Sequence, residues 1–207
     1  MRLLMLAPPG GGKGTQGTRF AEATGVAHLS SGELLRAEIG KDTPTGRAVA
    51  GYLARGDLVP DDLLFGLVTR AAVTAASNTG GFILDGFPRT LPQARRAHEI
   101  GLELDLLLDA VIHLTAPEPV LVRRLLDRAR VHGRADDTPE VIRHRLQVFA
   151  EQTEPLADYY RNRGILLIVN ADQSPGDVSA AIMARLAERG ILSTSIQQEQ
   201  QQGTRTW

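Results

Sequence analysis

Leu3-Leu4-Met5-Leu6-Ala7-Pro8-Pro9-Gly10-Gly11-Gly12-Lys13-Gly14-Thr15 decides the fold. Its first four residues read as a short buried strand, and a helical pattern runs on from Lys13 to Thr24. Between the two, glycines let successive backbone N–H groups turn inward around an anion, while the helix N-terminus adds the positive end of its dipole. A lysine in this place reaches the β- and γ-phosphates of a nucleoside triphosphate, and the Thr15 hydroxyl is placed for a phosphate oxygen or a Mg²⁺ shell. Glycine-rich turns between a strand and a helix also occur as plain connectors. Here the order of strand, loop, lysine and helix is the one that a phosphate loop needs. Only Lys13 and Lys41 among the 23 basic residues are lysines, so the loop lysine stands out in an arginine-biased chain.

Outward from the loop, apolar runs at 3–6, 27–29, 82–84, 110–114 and 165–169 predict five strands. Helical patterns occupy 13–24, 32–38, 46–54, 61–76, 92–100, 118–128, 139–163 and 177–189. Asp61-Asp62 predicts an N-cap with acidic charge at a helix start, and Thr138-Pro139-Glu140 predicts a cap followed by proline at the first helical position. Pro155 predicts a kink or a split in the long helical segment around it. Alternating strands and helices imply a parallel sheet with helices on both faces. Two stretches depart from that rhythm. Residues 30–60 hold two helices with no strand between them, as an inserted lobe would, and 128–137 read as a short polar loop. The glutamine-rich tail, 193–207, lacks periodicity and reads as disordered.

At 207 residues, with 43% hydrophobic and 23% charged, the chain suits one soluble α/β domain with small insertions. A formal net charge of -1 argues against nucleic-acid or acidic-membrane partners, which call for a basic excess. The absence of cysteine excludes disulfides and thiolate metal sites. The apolar run near Met1 is too short for a signal peptide or a membrane span, so the cytoplasm is the expected location.

A second signal lies in Gly81-Phe82-Ile83-Leu84-Asp85-Gly86-Phe87-Pro88-Arg89-Thr90. An acid at the C-terminal end of a parallel strand faces the ligand crevice, where Asp85 can hold Mg²⁺ through its water shell. Arg89 then bridges an acceptor phosphate and the transferring group, and the Gln93 amide can donate to and accept from an adenine edge. Seven arginines fall between 123 and 145. Arg124 and Arg128, four apart, share one helix face. Arg123, Arg130 and Arg143 are read as ordinary solvated charges.

Taken together, these motifs resemble those of the nucleoside monophosphate kinases and, most closely, the short-lid adenylate kinases, over residues 1–189. The loop is similar to the family's Gly-x-Pro-Gly-x-Gly-Lys-Gly-Thr, with Ala7 standing for its first glycine. Were φ positive there, a β-carbon would cost about 1–2 kcal/mol. Leu29-Ser30-Ser31-Gly32-Glu33-Leu34-Leu35-Arg36 resembles the family's Ser-Thr-Gly-(Asp/Glu)-x-x-Arg segment, although alone it reads equally as a helix cap with a surface arginine. Gly56-Asp57-Leu58-Val59-Pro60 resembles the segment whose backbone lines the base pocket, and His132-Gly133-Arg134-Ala135-Asp136-Asp137 resembles the short lid.

The resemblance implies a three-layer α/β fold of the P-loop type with a five-stranded parallel sheet. Its core would span 1–29, 60–127 and 138–192, with a monophosphate-binding lobe at 30–59 and a lid at 128–137. It further implies transfer from ATP to AMP giving two ADP, with Mg²⁺ and no zinc, in a monomer acting on small nucleotides. ATP would meet Gly10, Gly11, Gly12, Lys13, Gly14, Thr15, Arg128 and Gln173. AMP would meet Ser31, Arg36, Asp57, Leu58, Val59, Gly86, Phe87, Pro88, Arg89, Gln93, Arg134 and Arg145. Lys13, Arg89, Arg124, Arg128, Arg134 and Arg145 would act on the transferring charge, with Asp136 and Asp137 orienting the lid arginines. UMP/CMP kinases are similar but carry alanine at the place of Ser31 and asparagine at that of Thr90. With Gln93, these residues favour AMP over a pyrimidine acceptor; a nucleotide-binding module without catalysis is the remaining alternative.

Overall fold

The computed structural model describes residues 1–41, 43–55, 57, 59–132 and 138–192, the side chains of 131 and 132 apart. Five strands form one parallel sheet: β1 (Arg2–Leu6), β2 (Ala27–Ser30), β3 (Phe82–Asp85), β4 (Ala110–Thr115) and β5 (Leu166–Asn170). Their spatial order is β2-β3-β1-β4-β5, so β1 is central. Nine α-helices among the described residues connect or flank them: α1 (Lys13–Thr24), α2 (Ser31–Ile39), α3 (Pro44–Arg55), α4 (Asp61–Thr79), α5 (Leu91–Glu103), α6 (Glu118–His132), α7 (Pro139–Val148), α8 (Leu156–Asn162) and α9 (Pro175–Glu188).

Strand alternation divides the core into two halves. Leu4, Leu6, Phe82, Leu84 and Val111 join the apolar layer toward α4 and α8, whereas Leu3, Met5, Ile83, Ile112 and Leu114 join Phe20 of α1 and Val178, Ile182 and Leu186 of α9. Both faces of the central strands are therefore covered, which is why β1, β3 and β4 are nearly continuous apolar runs, whereas β2 is half-buried and β5 exposes Ile168 and Asn170.

Each expected strand is present with its ends shifted by at most one residue, but two local readings are corrected. Pro60, not Asp61, occupies the N-cap of α4; Asp61 and Asp62 sit in the first turn, and an Asp61 carboxylate oxygen accepts from Gln93 Nε2 at 2.6 Å. The stretch from residue 128 is not loop at first: α6 continues to His132, while 133–137 lie outside the described residues, as does the tail. As Pro155 predicts, the helical segment 139–163 is split: a π-helical turn, Phe149–Thr153, precedes Pro155, which has no N–H to continue the ladder. At Thr138 the expected cap is present, its hydroxyl accepting from Val141 N at 3.3 Å.

Ala7 is buried with a non-positive φ; Asp105 is the only non-glycine residue with positive φ among those described. The strain that a positive φ at Ala7 would bring is therefore absent. Positive φ falls instead on Gly10 (80°) and Gly12 (89°), where glycine bears it without a steric penalty. A β-carbon on Gly10 would also lie 2.7 Å from the Leu121 carbonyl oxygen.

Candidate active site

A cavity of about 1150 Å³ opens at the C-terminal ends of β1 and β3. One end is walled by Gly10 to Thr15, the other by Arg36, Asp57, Gly86, Pro88, Arg89 and Arg145; Asp85 lies between, with Arg124, Arg128 and Gln173 along the side. Six cations (Lys13, Arg36, Arg89, Arg124, Arg128, Arg145) face three carboxylates (Glu33, Asp57, Asp85) in a chain whose net charge is -1. The cleft thus concentrates positive potential for a polyanion, although the molecule as a whole does not.

Lys13 is held over its own loop, donating to the Ala7 carbonyl oxygen at 2.5 Å and to that of Pro8 at 3.2 Å. Desolvation lowers its pKa from the usual 10.5 to about 8, with Asp85 opposing and Arg89 and Arg128 reinforcing the fall. A phosphate anion arriving here restores a partner for the charged form.

Arg89 is fixed by three neighbours. Its Nε donates to the Gly86 carbonyl at 2.6 Å, its backbone N–H donates to Gln93 Oε1 at 2.7 Å, and its carbonyl accepts from Thr153 Oγ1 at 2.8 Å. Burial pushes the guanidinium pKa down, Asp85 opposes this, and Arg145 adds to it. Such a clamp presents a fork already oriented for phosphate oxygens. Arg124 donates to the Ala171 carbonyl at 2.8 Å, which ties α6 to the end of β5.

Asp85 ends β3 on the face toward α1. His28 Nε2 lies 2.8 Å from its Oδ2, and Ser30 Oγ donates to Oδ1 at 3.3 Å. The β2–β3 register explains this set: Ser30 pairs with Asp85 and His28 with Ile83, so His28, Ser30 and Asp85 all project to one face. Gly17 of α1 makes the room, since a β-carbon there would collide with the His28 imidazole. A single buried carboxylate suits Mg²⁺, which keeps much of its water and takes one or two carboxylates beside substrate phosphates. No group of three His, Cys, Asp or Glu side chains is gathered for a metal among the described residues, so the phosphates themselves would bring the remaining ligands.

Four of the expected acceptor residues do not line the cavity. Ser31 is buried with its hydroxyl unpartnered, Val59 is buried, and Phe87 packs edge-on against Phe65 at 4.9 Å. Gln93, 2% exposed, spends its amide on Arg89 and Asp61 rather than presenting it to the cleft. Leu58, Arg134, Asp136 and Asp137 lie outside the described residues. Two contributors escaped the sequence reading. His28 looked like any strand residue, and its only signal was the glycine opposite it in α1. Thr153 reaches Arg89 from the π-helical turn, a feature that Pro155 hints at without locating.

The family described as adenylate kinase matches residues 5–165. The chain is 42% identical over 186 residues to the adenylate kinase of Stenotrophomonas maltophilia, covering 90% of this chain and 99% of that one. It is 44% identical over 181 residues to that of Prochlorococcus marinus (87% and 96%) and 44% identical over 186 residues to that of Corynebacterium urealyticum (90% and 99%). The five-stranded parallel sheet, the glycine loop opening α1 and the match across nearly the whole chain carry one conclusion: this chain belongs to the adenylate kinase family of phosphotransferases.

Proposed function

We propose that the protein catalyses reversible, Mg²⁺-dependent transfer of the γ-phosphoryl group of ATP to AMP, giving two ADP. The observation that carries this reading is the two-ended cavity. At about 1150 Å³ it exceeds the common range for one small ligand, about 300–1,000 Å³, and its ends differ in chemistry. The loop end, Gly10 to Thr15, offers backbone donors and Lys13 to a triphosphate, with Arg128 and Gln173 beside it. The other end offers Arg36, Arg89 and Arg145 to a monophosphate.

In this reading an AMP phosphate oxygen forms a bond to the γ-phosphorus as the bond to the β-phosphate oxygen breaks. The attacking oxygen is already anionic near neutral pH, so no protein base is needed. Charge spread over the equatorial oxygens is met by Lys13, Arg89, Arg124, Arg128, Arg134 and Arg145. Mg²⁺ neutralises phosphate charge when bound, and Asp85, held by His28 and Ser30, would orient its water shell. The Asp57 to Val59 backbone, the Gly86 to Pro88 turn and Ser31 would enclose the AMP base. Gln93 joins them only if its amide is released from Asp61; the Ser31 hydroxyl is buried and unpartnered as it stands.

Residues 30–59 would act as the monophosphate lobe and 128–137 as a lid closing on the remaining core and excluding water. The enzyme would work as a cytoplasmic monomer on small nucleotides, with neither nucleic acid nor membrane as partner. In support, the net charge is near zero, and no helix among the described residues is long and apolar enough to cross a membrane. Coupled assays across AMP, CMP, UMP and GMP test the acceptor. Preference for AMP is expected, and preference for a pyrimidine monophosphate would move the assignment to the UMP/CMP type.

A further inference from the structure

One side-chain contact crosses from the inserted helices to α7, and the proposed chemistry makes no use of it. Asp57, just beyond the end of α3, accepts from Arg55 Nε at 2.7 Å on Oδ2 and meets His144 Nε2 at 3.0 Å on Oδ1. His144 stands on α7 beside Arg145, and both Asp57 and Arg145 line the cavity. The partners are 87 positions apart, so the contact joins two parts of the chain that local structure does not connect.

The two bonds to Asp57 differ in reach. Arg55 closes a short turn within the inserted segment, whereas His144 ties that segment to another helix. Arg55 first and His144 second hold the Asp57 carboxyl below its usual range, so the carboxylate stays ionised for both donors. With side chains 44% and 36% exposed, the pair is half open to water, and its effect should be moderate.

We propose that His144 is a positioning residue for the acceptor: through Asp57 it ties the end of the inserted lobe to α7 and sets how closely that lobe approaches Arg145. The proposal rests on reading 30–59 as the monophosphate lobe. Because the tie spans two walls of the acceptor half, its loss widens that half and leaves the loop half as it was.

The test uses the whole enzyme, which has no cysteine, so Ala48→Cys and Glu140→Cys give unique label sites on exposed turns of α3 and α7. Adding His144→Ala should lengthen the label separation. It should raise KM for AMP roughly three- to fivefold, the size expected for a half-exposed contact to a carboxylate, with KM for ATP nearly unchanged. His144→Gln, whose amide can still donate to Asp57, should recover much of the loss. In a cycle with Asp57→Ala, the double variant should be no worse than the worse single one. Equal changes in both KM values, no change in KM for AMP, additive single effects, or an unaltered label separation would each overturn the proposal. A wild-type enzyme that does not phosphorylate AMP would sink the acceptor reading instead, and the label separation alone would then decide whether the tie exists.

Discussion

The two ends of the cavity are built in different ways. The loop end is one unbroken run, Gly10 to Thr15, whose backbone conformation performs the work that its composition advertises. The other end, which the proposed function assigns to the acceptor, is assembled from α2, the end of α3, the turn after β3, α7 and the π-helical turn, and its side chains depend on one another. A contiguous site can be read from spacing because the peptide itself fixes the geometry. A dispersed site depends on which partner each polar group finds, and that is settled by packing.

The comparison breaks most directly at the charges nearest the transferring group. Lys13→Ala removes the loop cation, and Arg89→Ala removes the acceptor one. Each should lower kcat by a factor on the order of 10² or more, because both act on charge that grows in the transition state. Stopped assays with saturating ATP and AMP check this. Near-normal turnover in Arg89→Ala alone would mean that the acceptor end binds without taking part in transfer.

Legibility in the sequence follows the same division. The central strands β1, β3 and β4, buried on both faces, are short apolar runs that spacing alone locates, and proline with its neighbours located the broken helix near 155. The helical extension to His132 was not legible, because Arg128, Arg130 and His132 carry no apolar period that separates helix from polar loop. At the site, Gln93 shows what sequence cannot supply. An amide four residues beyond Arg89 could serve a nucleobase or a backbone, and packing against Asp61 gives it the second set of partners. His28 illustrates the reverse, a residue without a motif that strand parity delivers to Asp85.

Gly17→Ala sharpens the comparison, since it strikes the acid between the two ends from behind. Helix propensity alone favours alanine by about 0.5–1 kcal/mol. The added β-carbon, however, meets the His28 ring, which must leave Asp85 or push α1 outward. We expect Mg²⁺ binding to the ATP complex, followed by titration calorimetry, to weaken about tenfold, the scale of a lost hydrogen bond to a charged group. ATP binding without Mg²⁺ should be nearly unaffected. If Mg²⁺ affinity is retained, His28 is packing and not support for Asp85.

Lys13 gives a test specific to the loop. Its pKa near 8, against 10.5 when solvated, means that the unfolded chain binds more protons than the folded one between those values. The stability of the free protein should therefore rise with pH through that window, relative to a Lys13→Met control. Triphosphate binding favours the charged lysine, so ATP should take up about half a proton at pH 8 and more toward pH 9. Calorimetry in two buffers of different ionisation enthalpy measures this directly. Binding enthalpies that do not depend on the buffer at pH 8.5 would show that Lys13 is charged before the phosphates arrive.

The smallest effect is expected at Ala7, where the loop departs from the family pattern it resembles. Because φ there is not positive, replacing alanine by glycine relieves no backbone strain. The methyl group is buried, and a β-carbon on Gly11 would lie only 2.8 Å from it, so Ala7 fills the space that Gly11 leaves. Ala7→Gly should therefore remove packing and enlarge the unfolded ensemble, destabilising the protein by about 0.5–1 kcal/mol. ATP affinity and turnover should stay within roughly twofold, because Gly10, Gly12 and Lys13 set the phosphate-facing geometry without it. Thermal unfolding with and without ATP separates the two effects: a lower Tm with an unchanged ATP-induced increment is the expected pattern. A rise in turnover or ATP affinity would instead mean that the methyl group holds Gly11 away from its working position, and the loop would then depend on a packed neighbour as the acceptor end does.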